Sequence, residues 1–91
     1  MSTTSRFTKD PQAVLDYQID WSEWLDDDTI TASEWTVPSG ITADSDSNTT
    51  TTTTVWLSGG TLGETYSLVN HITTAAGRED DRTIKIKMVP K

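Results

Sequence analysis

The side chains able to do chemistry are few and scattered along these 91 residues. His71 is the single histidine. A general base must hold a nucleophile within hydrogen-bond reach, and no local pattern around His71 supplies one. Its parity places it opposite Tyr66, Leu68 and Ile72, on an outer face or in an interface, so it is read as a contact residue. Asp44-x-Asp46-x-Asn48 has the alternating oxygen ligands that begin a calcium loop. Thr49 stands where that loop requires glycine and Val55 where it requires an acid, so the EF-hand reading fails. A solvated loop is the better reading, with a looser site drawing on Asp26, Asp27 or Asp28 as the alternative. Gly59-Gly60 precedes neither a helix nor a lysine–serine pair, so it is not a phosphate loop. There is no cysteine, which excludes a thiolate metal site, a cysteine nucleophile and a disulfide scaffold. The sequence therefore defines no catalytic, cofactor-binding or metal-binding set, and the expectation is a protein that is not an enzyme.

The elements that must position these residues are strands. Leu15, Tyr17, Ile19 and Trp21 alternate with polar residues and share one face. Ser22 to Asp28 reads as a turn or a single helical turn, kept in solvent by its acidic triplet. Residues 29–37 form a second strand in which Ile30, Trp35 and Val37 face inward. The parity change between them predicts a bulge near Ala32 to Glu34. Pro38-Ser39-Gly40 is a turn, Ile41 to Ala43 is a short element, and Asp44 to Asn48 is loop chemistry. Residues 50–57 place Thr51, Thr53, Val55 and Leu57 on one face and Trp56 on the other; β-branched threonine suits such a half-exposed strand. In residues 66–73, Tyr66, Leu68, Asn70 and Ile72 share a face. In residues 82–89, Ile84, Ile86 and Met88 do so, opposite Lys85 and Lys87. These last two strands are expected to pair as a hairpin.

A glycine-rich corner, Gly59-Gly60-Thr61-Leu62-Gly63, leads into the strand that begins at Tyr66. A tyrosine there, bonding back to the chain just upstream, is a recurrent device of immunoglobulin-like domains. With strand spacing and no convincing helix, it predicts an all-β fold, an immunoglobulin-like antiparallel β-sandwich. A small partly open barrel is the competing architecture. Residues 1–11 are polar apart from Phe7 and read as an extended N-terminal arm, frayed or docking. Residues 12–91 form a single β-sandwich domain.

Composition narrows the partners. Residues 1–48 hold ten acids and two bases, whereas residues 49–91 hold four acids and five bases, within a net charge of −7. An acidic half repels phosphate, which argues against nucleic acid or an anionic membrane as partner. No apolar run approaches the ~20 residues of a membrane span. The first six residues lack an apolar signal core, so the protein is expected to stay where it is made. The run Arg78-Glu79-Asp80-Asp81-Arg82 is expected to form local ion pairs on a wet turn, worth ~0–1 kcal/mol each. Four tryptophans are many for so small a core. One or two should lie between the sheets, where large aromatics dominate packing. Trp56 either packs under the N-terminal segment or stands exposed as a contact anchor. Trp24, beside the acidic triplet, is the second exposed candidate. The candidate partner contacts are thus Phe7, Trp24, Trp56 and His71.

Several spaced motifs resemble one family. They are Lys9-Asp10-Pro11-x-Ala13-Val14-Leu15-Asp16-Tyr17, Asp20-Trp21-x-x-Trp24-Leu25 and Trp35-Thr36-Val37-Pro38-x-Gly40-Ile41. Two more follow, Val55-Trp56-Leu57-Ser58-Gly59-Gly60-Thr61-x-Gly63 and His71-Ile72-Thr73-Thr74-x-x-Gly77-Arg78-x-Asp80-x-Arg82. Over nearly the whole chain the sequence is similar to small tailed-bacteriophage structural proteins, resembling phage fiber-tail adaptor proteins. The resemblance implies a virion protein that bridges the head–tail junction or tail to fiber proteins through surface and arm contacts. It implies portal, adaptor, tail or fiber proteins as partners, several copies per particle, and assembly in the host cytoplasm. It brings no catalytic residues and no cofactor. A capsid decoration or head protein is the alternative within the same class. A carbohydrate-binding module is the alternative outside it, and would need two coplanar exposed aromatics.

Overall fold

The computed structural model describes residues 4–90. Its strands are β1 (Thr4–Lys9), β2 (Leu15–Asp20), β3 (Ile30–Thr36), β4 (Ile41–Asn48), β5 (Thr52–Gly59), β6 (Thr65–Thr74) and β7 (Glu79–Met88), with one helical turn, α1 (Ser22–Leu25), between β2 and β3. They form two sheets, ordered β1-β7-β6-β3 and β2-β5-β4. Every pairing is antiparallel except that of β1 with β7, which is parallel. Such a first strand lying parallel to the last, on a sheet facing three further strands, is the immunoglobulin-like arrangement.

Alternation along the strands dictates which faces meet. Val55, Leu57, Leu68, Ile72, Ile84, Ile86 and Met88 are all buried, each at a position that skips one residue along its strand. Trp21 is fully buried between the sheets, just past β2. Each such side chain contributes roughly 1.5–3 kcal/mol on leaving water. α1 follows because Asp20 Oδ1 accepts the Ser22 N–H at 2.9 Å, satisfying a donor of the first turn. The turn ends at Asp26, whose φ of 58° leaves helical space.

The N-terminal segment is extended, and its residues 4–9 lie as an edge strand. Residues 4–9 pair in register with residues 83–88. Phe7 packs on Tyr17 at 5.1 Å between ring centroids, and the Tyr17 hydroxyl donates to the Thr8 carbonyl at 3.1 Å. Lys9 is buried, its Nζ donating to the carbonyls of Asp10 (2.9 Å) and Gly59 (2.8 Å). These contacts tie the segment into both sheets, since Tyr17 and Gly59 belong to the three-stranded sheet and β7 to the four-stranded one. Residues 1–3 of the expected arm lie outside the described residues.

One expectation changes. Asp44 to Asn48 are strand, not loop: Ser45 to Asn48 pair with Trp56 to Thr53, and this pairing overrides their turn propensity. The register shift in β3 falls between Ile30 and Ala32, at the start of the predicted bulge. A second shift, between Ala43 and Ser45, lies in β4.

Candidate partner-contact surfaces

The corner that opens β6 is built as its residues require. The backbone N–H of Thr61 donates to the Tyr66 hydroxyl at 3.0 Å, closing the chain on itself five residues upstream. Gly60 has φ +101°, a backbone conformation that favours glycine, and a Cβ there would come within 2.6 Å of the Met88 methyl and displace that side chain. A fixed corner sets the register of β6, and β6 carries His71 outward and Asn70 inward.

His71 stands on the outer face of the four-stranded sheet. Nδ1 lies 2.5 Å from Asp81 Oδ1 and Nε2 lies 2.8 Å from Glu79 Oε1. Glu34 of β3 is its cross-strand neighbour on the other side. The hydrogen bond to Asp81, and then that to Glu79, push the imidazole pKa above its ordinary value. Both ring nitrogens face carboxylate oxygens, an arrangement that favours the protonated imidazolium.

Trp56 lies at the centre of the other outer face. It projects from the middle strand β5, flanked by Asp16 of β2 and Ser45 of β4, and remains 42 % exposed. Of the two readings of this residue, the structure takes exposure. Trp24 is half-buried instead of free: it meets Trp21 edge-on at 5.5 Å, and the Arg78 guanidinium sits 3.9 Å above its ring. The cause is Arg78, which donates to the carbonyls of Trp24 (3.0 Å) and Leu25 (3.3 Å) and so clamps the turn. Asp28 accepts from the same guanidinium at 3.4 Å. A hydroxyl bond from Thr74, then backbone bonds, hold its carboxyl below the usual range. Phe7 is half-buried beside Tyr17.

The four candidates therefore lie in separate places: His71 on one sheet, Trp56 on the other, Phe7 at an edge and Trp24 at the α1 end. Asp44 accepts from Ser58 Oγ at 3.0 Å, whereas Asp46 lies opposite Val55 beyond the register shift, and among the described residues no group of three or more His, Cys, Asp or Glu is placed to hold a metal ion. Sequence reasoning missed a cluster that the pairing creates. Arg6 lies beside Lys85 and Thr8 beside Lys87, and these residues line a groove with Phe7 and Thr65. The shared parity of Lys85 and Lys87 was visible; the strand that adds Arg6 to them was not.

Fold and corner together define an immunoglobulin-like β-sandwich. Among solved structures the chain is similar to the solution structure of the PKD domain from KIAA 1837 protein, at 16 % identity and a TM-score of 0.57, covering 99 % of this chain and 83 % of that one. No curated protein matches the chain. The family described as podophage GP4 fiber-tail adaptor protein gp77 matches residues 9–87, and the chain belongs to that family. Its class is thus that of phage tail structural proteins.

Proposed function

We propose that the protein is a non-catalytic adaptor of the virion, bridging the tail to fiber proteins through the outer faces of its two sheets. Family membership over residues 9–87 supports the setting. The observation that carries the mechanism is the exposed Trp56 on the central strand of a rigid sheet. A large aromatic held there has little conformational entropy left to lose on docking, and tryptophan is enriched among the residues that dominate interface energies. Carboxylates of Asp16 and Asp44 border it, which favours a partner with basic groups at the rim. Partners are other virion proteins, met by several copies per particle.

Complementation tests this reading. Particles assembled with Trp56→Ser in place of the wild-type chain should lose the protein or its attached fibers, while the isolated variant unfolds within about 1 kcal/mol of wild type. Normal incorporation and normal fibers would refute the role of that face. The two coplanar exposed aromatics that a sugar platform needs are not found among the described residues, whose large exposed apolar side chains are Val14, Leu15, Trp56 and Leu62.

A further inference from the structure

Fourteen carboxylates face seven lysines and arginines in this chain, and the fold uses several of those cations internally. Lys9 is buried on two carbonyls. Arg78 covers Trp24 and pairs with Asp28. Arg82 stacks 4.2 Å from the centre of Trp21 and donates to the Asp20 carbonyl at 2.9 Å. Among the described residues, Arg6, Lys85 and Lys87 remain without an ion pair or a stacked ring. All three line one groove, with Arg6 directly opposite Lys85. Like charges on neighbouring strands repel, so the arrangement carries a cost that an anionic neighbour would remove.

The opposite edge of the molecule is the complement. β4 ends its sheet, and Thr42 to Asn48 are all exposed. Asp46 and Asn48 pair with Val55 and Thr53, both fully buried, yet are themselves exposed. The end of β4 thus overhangs the core. Its charged side chains are Asp44 and Asp46, and an exposed eight-residue edge strand is a template for pairing with another chain. β1 lies over β2, where Phe7 meets Tyr17, whereas β4 lies over β3. The two edges are on opposite sides and cannot meet within one molecule.

We propose that the Arg6–Lys85–Lys87 groove receives the acidic β4 edge of a second copy of this chain, so that copies join head to tail. The contact uses different surfaces on the two partners, and repetition closes a ring or extends a filament. This inference stands apart from the adaptor reading: it concerns only contacts between copies, and it is measured on the isolated protein.

Sedimentation velocity over a concentration series tests it. The wild type should associate reversibly at low ionic strength and dissociate in about 0.5 M salt, where the Debye length falls to a few ångströms. Lys85→Glu with Lys87→Glu takes the net charge from −7 to −11, and Asp44→Lys with Asp46→Lys takes it from −7 to −3. Simple self-repulsion predicts opposite effects of these changes. The proposed contact predicts that each weakens self-association at least about tenfold. A 1:1 mixture of the two variants should recover association, since the native groove of one meets the native acidic edge of the other and the two reversed surfaces are also of opposite charge. Asp26→Lys with Asp27→Lys, an equal charge change in the loop after α1, should leave association intact. All these sites are surface positions, and a circular-dichroism melt confirms that each variant folds. A wild type that stays monomeric at millimolar concentration in low salt overturns the proposal. So does association that survives either reversal, or that is lost equally in the loop control.

Discussion

The indole N–H of Trp21 donates to the side-chain oxygen of Asn70 at 3.1 Å, joining the two sheets through the middle of the core. Thr53 donates to the same oxygen at 2.7 Å, and the Asn70 amide donates onward to Ser33 Oγ at 2.9 Å and the Glu34 carbonyl at 3.1 Å. Trp21, Thr53 and Asn70 are fully buried. In antibody domains a disulfide crosses between the corresponding strands. Here, in a chain without cysteine, a satisfied polar network performs the crossing. Leu68 stands two residues after the corner tyrosine, the position of the second cysteine in those domains.

Asn70→Ala should therefore destabilise strongly, because it removes the acceptor that Trp21 and Thr53 share and leaves the indole N–H only its longer bond to Thr53 Oγ1 at 3.3 Å. A loss of about 2–4 kcal/mol is expected from urea unfolding, against less than about 1 kcal/mol for Trp56→Ala on the outer face. Equal losses would mean that the network contributes no more than surface packing.

The corner makes a separate prediction. Tyr66→Phe removes the bond to the Thr61 N–H and should cost about 1 kcal/mol. Gly60→Ala should cost more than Gly63→Ala. Both have positive φ, but an added Cβ at Gly60 collides with Met88, whereas at Gly63 it meets nothing within 4 Å. Thermal unfolding of the two variants under the same conditions ranks them.

Much of this was legible before any coordinates. Alternation fixed the inward faces of β5, β6 and β7, and Tyr66 after its glycines marked the corner. The unread parts depend on distant partners. Asp44 to Asn48 have the composition of a loop and become a strand because β5 offers them a ladder. Trp24 reads as exposed and is covered by a guanidinium 54 residues away in sequence. Lys9 falls in the segment read as an extended arm, and its burial follows from where β1 docks. Local pattern carries no information about such encounters. The cationic groove escaped notice for the same reason, since a parallel pairing of the first and last strands creates it.

Stability should fall as His71 loses its proton. Its folded pKa lies above the unfolded value of ~6.5. Its contribution is thus complete below that value and disappears as pH rises through the folded pKa. Unfolding free energies between pH 5.5 and about 9, compared for wild type and His71→Gln, isolate the effect. The wild type should lose its advantage toward the alkaline end; a pH-independent difference would contradict the clamp by Asp81 and Glu79.

Docking of β1 predicts resistance to trypsin at Arg6 and Lys9 in the isolated protein. Burial lowers the Lys9 pKa, against the pull of Asp10 and Asp44, and its two carbonyl bonds hold the strand end in place. Lys9→Ala should release β1 and speed cleavage at Arg6 by roughly tenfold or more, leaving the remaining strands protected. Rapid cleavage of the wild type at Arg6 would show that the strand is not held.

The proposed adaptor role requires a rigid sandwich whose outer faces meet other virion proteins. A cryo-EM reconstruction of the intact particle tests this most directly. Two-layered β density is expected between the tail and the fibers, in several copies, with the Trp56 face covered by another virion protein. Particles that carry fibers but no such density, or density on the capsid with Trp56 facing solvent, would contradict it.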